Sequence, residues 1–180
     1  MTASMSVDRY CTHCGALLSR KWLATELRER DVCAVCHHVT YDNPKVLVAG
    51  IVYWRDEIIL CRRAMDPAKG RWCVPMGYLE KGETLEEAIS RELHEETQLE
   101  IPPHLMELYA ICSLPLIGQV HVVYRTRLLS APALVANKES FEVRLFSEPA
   151  IPMAEVAFAD LLQEPFKQFF HQLRRGRFEV

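Results

Sequence analysis

The chain lacks the features that mark membrane proteins and general nucleic-acid binders. No apolar run approaches the ~20 residues that a bilayer-spanning helix needs, which excludes a membrane-spanning helix, and no membrane partner is expected. Positive charge is not in excess: 21 Lys and Arg are set against 24 Asp and Glu, a formal net charge of −3. General nucleic-acid affinity usually shows as a basic surface, so nucleic acid is not an expected partner. Internal repeats and low-complexity tracts are absent, which excludes a solenoid. Nothing ahead of Cys11 resembles a signal peptide, so a reducing, cytoplasmic setting is expected.

What remains is the composition of a globular protein. With 180 residues, 49% hydrophobic and 25% charged, the chain can bury one good core plus a small appended module. The turn-prone sequence Tyr41-Asp42-Asn43-Pro44 divides it into residues 1–43 and 44–180. After the turn, Lys45–Trp54 reads as a long buried strand, 57–62 as its hairpin partner and 72–74 as a further short strand. Strand patterns recur at 105–112, 119–129 and 141–146, and 160–175 carries Leu161, Leu162, Phe166, Phe169, Phe170 and Leu173 at helical spacing.

Four of the seven cysteines form two CxxC pairs, Cys11 with Cys14 and Cys33 with Cys36, separated by eighteen residues. This is the spacing of a zinc ribbon: each pair offers two thiolates from a tight knuckle, and four make a closed tetrahedral Zn²⁺ site. Such a site has no open position for substrate, so a structural role is expected, stapling a segment with little apolar content. Disulfides are the competing reading, and His13, His37 and His38 are neighbours that could substitute as ligands. Cys61, Cys73 and Cys112 fall in apolar runs and read as small buried hydrophobes.

The densest cluster of carboxylates, Glu92, Glu95 and Glu96, lies at helical spacing, so the three share one side of a helix, where divalent cations or solvent must offset their repulsion. Thr84 and Glu87 form a capping box that starts this helix, and Leu85, Ala88, Ile89 and Leu93 give it an apolar stripe. Pro75, Gly77 and Gly82 break the chain ahead of it, giving strand, loop, helix. Taken alone, an acidic helix of this kind is most often a solvated surface.

The joint pattern is more specific. Gly77, Glu83, Arg91, Glu92, Leu93, Glu95, Glu96 and Leu99 stand at the intervals of the Nudix box, and the chain resembles a Nudix hydrolase. Only the second box glycine departs: Gln98 stands in its place, so a left-handed helix exit would cost about 1 kcal/mol there, or the helix would end differently. The resemblance implies an α/β/α sandwich with a mixed sheet, preceded by the small zinc-ribbon module. It also implies hydrolysis of the pyrophosphate bond in a nucleoside diphosphate linked to another group, dependent on Mg²⁺ or Mn²⁺. Carried over, Glu92 and Glu96 are metal ligands, Glu95 shares ligation or orients the water, and the Met76 carbonyl joins them. Arg91 and Glu83 would form an ion pair bracing the loop behind Gly77. Glu139 sits where ADP-ribose hydrolases often place an extra catalytic glutamate; Glu142 is the other base candidate, and both could equally be exposed charges. Homodimerisation is common in the family.

The box handles only the pyrophosphate; specificity comes from other segments. NADH pyrophosphatases also carry an N-terminal zinc ribbon, but their SQPWPFP signature is missing. From the CxxC pairs through NPK, the PxGYLExGE loop and the LIGQ and RLF segments, the chain is more similar to the group containing the plant chloroplast FAD and ADP-ribose pyrophosphatase. That similarity implies FAD hydrolysis to FMN and AMP, or ADP-ribose hydrolysis to ribose 5-phosphate and AMP. The alternatives are an NADH or NAD-cap pyrophosphatase, or a non-catalytic regulator that senses a nucleotide. Gln119 could read a base or ribose edge, or could simply follow a turn. Tyr78 and Tyr124 could stack on a ring, although aromatics in such places are more often packing.

Overall fold

A computed structural model describes residues 9–178 of the chain. The stretch ahead of Cys11, where no signal peptide is read, lies mostly outside the described residues. The chain divides into two compact units, Met1–Asn43 and Pro44–Val180.

The first unit is a three-stranded antiparallel sheet of β1 (Leu18–Leu23), β2 (Arg28–Cys33) and β3 (Val39–Thr40), in that order. Little apolar surface is enclosed. Buried Asp31 is instead held by the guanidinium groups of Arg9 at 2.9 Å and Arg20 at 3.4 Å.

The second unit is built on a seven-stranded mixed sheet. Its strands are β4 (Lys45–Trp54), β5 (Glu57–Arg63), β6 (Trp72–Cys73), β7 (Met76–Tyr78), β8 (Glu107–Leu114), β9 (Gln119–Arg127) and β10 (Ser140–Ser147). The main path runs β10-β5-β4-β9-β8, with β6 paired to β5 and β7 to β4. β4 and β9 are parallel and the other pairs antiparallel. The near-continuous apolar run of β4 follows from its central place, buried on both faces.

Two helices cover those faces, α1 (Leu85–Thr97) and α2 (Ala159–Arg175). Strand alternation sorts β4 between them. Val48 and Val52 join Ala88, Ile89 and Leu93 of α1, while Leu47, Ala49, Ile51 and Tyr53 join Phe166, Phe169 and Phe170 of α2. The expected sandwich is therefore observed, and the 160–175 stripe is core except for Leu161, which is exposed. Gly50 faces α1, where an added Cβ would lie only 3.1 Å from Ile89, so helix and strand approach closely there.

Several boundaries move for local reasons. The 72–74 strand divides: β6 ends before Pro75, and β7 resumes on the neighbouring strand β4. The 105–112 strand starts later because Pro103–Leu105 forms a 3₁₀ turn with proline at its start. No helix among the described residues is long and apolar enough to cross a membrane.

Candidate active site

Local chemistry fixes α1 at both ends. The Thr84 hydroxyl accepts from the Glu87 amide at 3.2 Å, and the Glu87 carboxylate accepts from the Thr84 amide at 2.8 Å, completing the capping box. At the other end Gln98 adopts φ 61°, ψ 17°, the left-handed exit, and its side-chain amide donates to the His94 carbonyl at 3.0 Å.

Arg91 ties the helix to the preceding loop. Its guanidinium donates to both Glu83 oxygens at 2.8 and 3.0 Å, to Glu92 at 2.7 Å, to Glu95 at 3.0 Å and to the Tyr78 carbonyl at 3.2 Å. Glu83 also accepts from the Glu80 amide at 2.8 Å, and its carboxyl is held below its ordinary value chiefly by Arg91. The expected Glu83–Arg91 pair is thus present, within a wider hub that includes two box carboxylates.

Beside the hub lies a cavity of about 380 Å³, lined by Glu92, Glu96, Glu139, Met76 and Gly77 among others. Glu92 is 9% exposed, and burial raises its pKa against the pull of Arg91. Burial and the Glu92 charge push Glu96 up to about 8, opposed by Arg63 and the Met76 amide. Glu96 Oε2 is buried with no hydrogen-bond partner. Glu139, from the segment before β10, adds negative charge that raises both groups. Buried carboxylates short of donors fit a hard divalent cation, which would supply the missing positive charge. Gly77 makes the arrangement possible, since a Cβ there would overlap the Glu92 carboxylate.

The other acidic residues are placed differently. Glu95 pairs with Arg91 and is not among the residues lining the cavity. Glu142 pairs with Arg62 at 3.2 Å and Arg144 at 3.7 Å and also lies off the cavity, leaving Glu139 as the base candidate that reaches it.

Tyr78 and Gln119 both line the cavity and meet: the Gln119 amide donates to the Tyr78 hydroxyl at 2.9 Å. Tyr124 does not line it. Its ring is 3% exposed on the α1 side of the sheet, and its hydroxyl donates to Glu86 at 2.6 Å, so here the packing reading of Tyr124 holds. The sequence reading missed Arg63, His121 and Ser140, which also line the cavity. For His121 a signal existed, since it lies two residues from Gln119 on an alternating strand.

In the first unit, Cys11, Cys14, Cys33 and Cys36 bring their sulfurs within 4.8 Å of one another. Sγ–Sγ separations of 3.6 Å for Cys11–Cys36 and 3.4 Å for Cys14–Cys33 are non-bonded, and all seven cysteines are free thiols. The Cys36 amide donates to Cys33 Sγ at 3.4 Å and lowers that thiol to about 6. Four clustered thiols with amides directed at their sulfurs fit a structural Zn²⁺. His13 and His38 stack edge-on at 5.8 Å outside the cluster. Among the described residues only these cysteines bring three or more ligand atoms so close; the cavity carboxylates converge without closing to that distance.

Comparison with known proteins agrees with both units. The profile described as NUDIX domain matches residues 44–169, and that described as Nudix N-terminal, a zinc-ribbon family, matches 9–42. The crystal structure of a NUDIX hydrolase from Nitrosomonas europaea superposes with a TM-score of 0.86 at 35% identity, covering 96% of each chain. An ADP-ribose pyrophosphatase of Methanocaldococcus jannaschii is 41% identical over 75 residues, 42% of this chain and 43% of that protein. The NAD-capped RNA hydrolase NudC of Edwardsiella ictaluri is 33% identical over 98 residues, 52% of this chain and 34% of that protein. The chain thus spans less than half the length of either curated relative.

Proposed function

The chain belongs to the Nudix hydrolase family, and from that premise we propose that it cleaves the pyrophosphate bond of an ADP-linked substrate, FAD or ADP-ribose. The single observation that carries this reading is the cluster of Glu92, Glu96 and Glu139 carboxylates lining one cavity, with Glu96 Oε2 buried and left without a protein partner. The products would be FMN and AMP from FAD, or ribose 5-phosphate and AMP from ADP-ribose, one water being consumed in each case. The relative from Methanocaldococcus jannaschii, named for ADP-ribose, supports this choice, and the resemblance of the LIGQ and RLF segments to the chloroplast group is what brings FAD into it.

Glu92 and Glu96, with the Met76 carbonyl, would hold Mg²⁺ or Mn²⁺, and Glu95 would steady Arg91 and the outer edge of the site. A divalent ion held there would supply positive charge to the pyrophosphate oxygens and favour ionisation of the attacking water. Glu139 would take the proton from the attacking water, because it reaches the cavity while Glu142 is held by two arginines. Arg63 brings positive charge to the same cavity, where charge develops on the leaving phosphate. Arg91 and Glu83 keep the loop and helix in register. In the first unit, Cys11, Cys14, Cys33 and Cys36 would hold a structural Zn²⁺.

The test is pyrophosphate cleavage of FAD, ADP-ribose, NADH and NAD-capped RNA side by side, read as AMP release from the first three and NMN release from the capped RNA, with wild-type protein and Glu96→Gln. FAD or ADP-ribose should show the highest kcat/KM, with Glu96→Gln reducing it by at least about 10²-fold. Preference for NADH or NAD-capped RNA would support the NudC-like alternative. Binding without cleavage of any of the four would support a sensor, and full turnover by Glu96→Gln would remove the metal assignment.

A further inference from the structure

Three strands bring Tyr78, Gln119 and His121 together. Leu47 of β4 pairs with Tyr78 on one side and His121 on the other, so the three stand in one row across the sheet. Gln119, two residues before His121, faces the same way. The Gln119 side chain is held at both ends: its Nε2 donates to the Tyr78 hydroxyl at 2.9 Å, and its Oε1 lies 2.8 Å from His121 Nε2. Lys45, the register partner of Gln119, places its ammonium 5.4 Å from the Tyr78 ring centroid, and Arg91 holds the Tyr78 carbonyl. Tyr78 is thus fixed from the carboxylate side and from the relay side.

The contacts set the polarity of the relay. Burial holds the His121 imidazole below its ordinary pKa and therefore neutral near pH 7. A neutral imidazole has one N–H, and here it is directed at Gln119 Oε1. The Gln119 carbonyl is thereby turned toward His121. Its amide nitrogen spends one hydrogen on Tyr78 and keeps one, and the Tyr78 hydroxyl, accepting that bond, keeps its own hydrogen. Two donors remain available beside the cavity.

We propose that His121 is a positioning residue that orients the Gln119 amide, so that Gln119 and Tyr78 offer hydrogen-bond donors to the substrate and select a base whose ring nitrogens carry lone pairs. The inference rests on the ADP-linked reading above and specifies which edge of the nucleoside is read. An adenine offers N1 as an acceptor; a hypoxanthine carries a hydrogen there and presents a donor to a donor.

The experiment measures AMP and inosine monophosphate binding by calorimetry in the full-length protein, with melting temperature as the folding control. Wild type should prefer AMP by about tenfold, the worth of one well-placed hydrogen bond. Gln119→Ala should bring the ratio below about threefold, and His121→Phe should do the same although it leaves Gln119 in place. His121→Gln, which restores an N–H where Nε2 stood, should recover most of the preference. The Gln119→Ala/His121→Phe double variant should match Gln119→Ala alone, because His121 acts through Gln119.

Additive losses, or a His121→Phe protein that keeps the wild-type ratio, would overturn the proposal. If His121→Phe fails to fold, His121→Gln against Gln119→Ala decides: loss of the preference in both overturns it. AMP binding with the expected ratios but no turnover of any dinucleotide would leave the relay standing and remove the pyrophosphatase reading.

Discussion

Gly77 and Glu92 compete for one space: a Cβ on residue 77 would overlap the Glu92 carboxylate. Gly77 is not among the positive-φ glycines, so the box requires glycine there for room rather than for backbone freedom. Strand β7 pairs Gly77 with Val48, which faces α1, and Tyr78 with Leu47, which faces α2. One residue step therefore separates the carboxylate cradle from the cavity face where Tyr78 meets Gln119. Gly77→Ala should displace Glu92 and lower kcat/KM by about 10²-fold, with a rise in the Mg²⁺ concentration needed for half-activation. The substitution should leave the circular dichroism spectrum unchanged. Activity within about threefold of wild type would show that Glu92 has other room.

Gln98→Gly should stabilise the protein. Gln98 sits at φ 61°, where glycine is favoured by about 1 kcal/mol, and the bond to the His94 carbonyl that its side chain would give up is exposed. The expected gain is about 0.5 kcal/mol, read as an upward shift of the denaturant midpoint with an unchanged slope. A loss of stability would mean that the His94 contact outweighs the backbone term.

The helix was legible in the sequence because its determinants are local. Thr84, Glu87 and the stripe of Ala88, Ile89 and Leu93 lie within one segment, and Glu83 with Arg91 lies at a fixed interval. Arg63 and Ser140 were not legible because they come from different strands, and only the sheet brings them to one cavity; the signal for His121 was its two-residue spacing from Gln119 on one strand. Tyr78 and Tyr124 looked equivalent as ring-stacking candidates. Strand parity separates them: Tyr124 shares the α1 face with Val122, whereas Gln119 and His121 take the alternate positions of β9. The role of Glu95 was legible only in part, since helical spacing places it near Glu92 but does not reveal that Arg91 engages it.

Tyr124→Phe tests that placement through pH. Tyr124 holds the Glu86 carboxyl below its ordinary value of 4.5, the hydroxyl donating to the charged form. A carboxylate with a lowered folded pKa contributes stability that is present above its unfolded pKa and lost as pH falls through the folded one. The variant should therefore be about 1 kcal/mol less stable at pH 7, a modest figure because Glu86 is only partly buried. The difference should shrink as pH falls below 4.5. A deficit that stays constant from pH 7 to about pH 3 would assign the effect to packing instead.

The four clustered cysteines predict an independent response to metal removal. Elemental analysis of protein purified without added metal should give about one zinc per chain, since four thiolates complete a tetrahedral shell. The first unit encloses few buried side chains, Cys11, Val32, Cys33 and Asp31 among them, so the metal must supply much of its folding free energy. A strong chelator should expose residues 9–42 to proteolysis, while the Nudix unit, with its own two-faced core, keeps its melting transition. Cys33→Ser should reproduce this without chelator, because Cys33 is fully buried and its sulfur already accepts the Cys36 amide. Resistance of the first unit to both treatments would mean that the Arg9–Asp31–Arg20 ion-pair network suffices to hold the small sheet, and the sulfur cluster would then need another explanation.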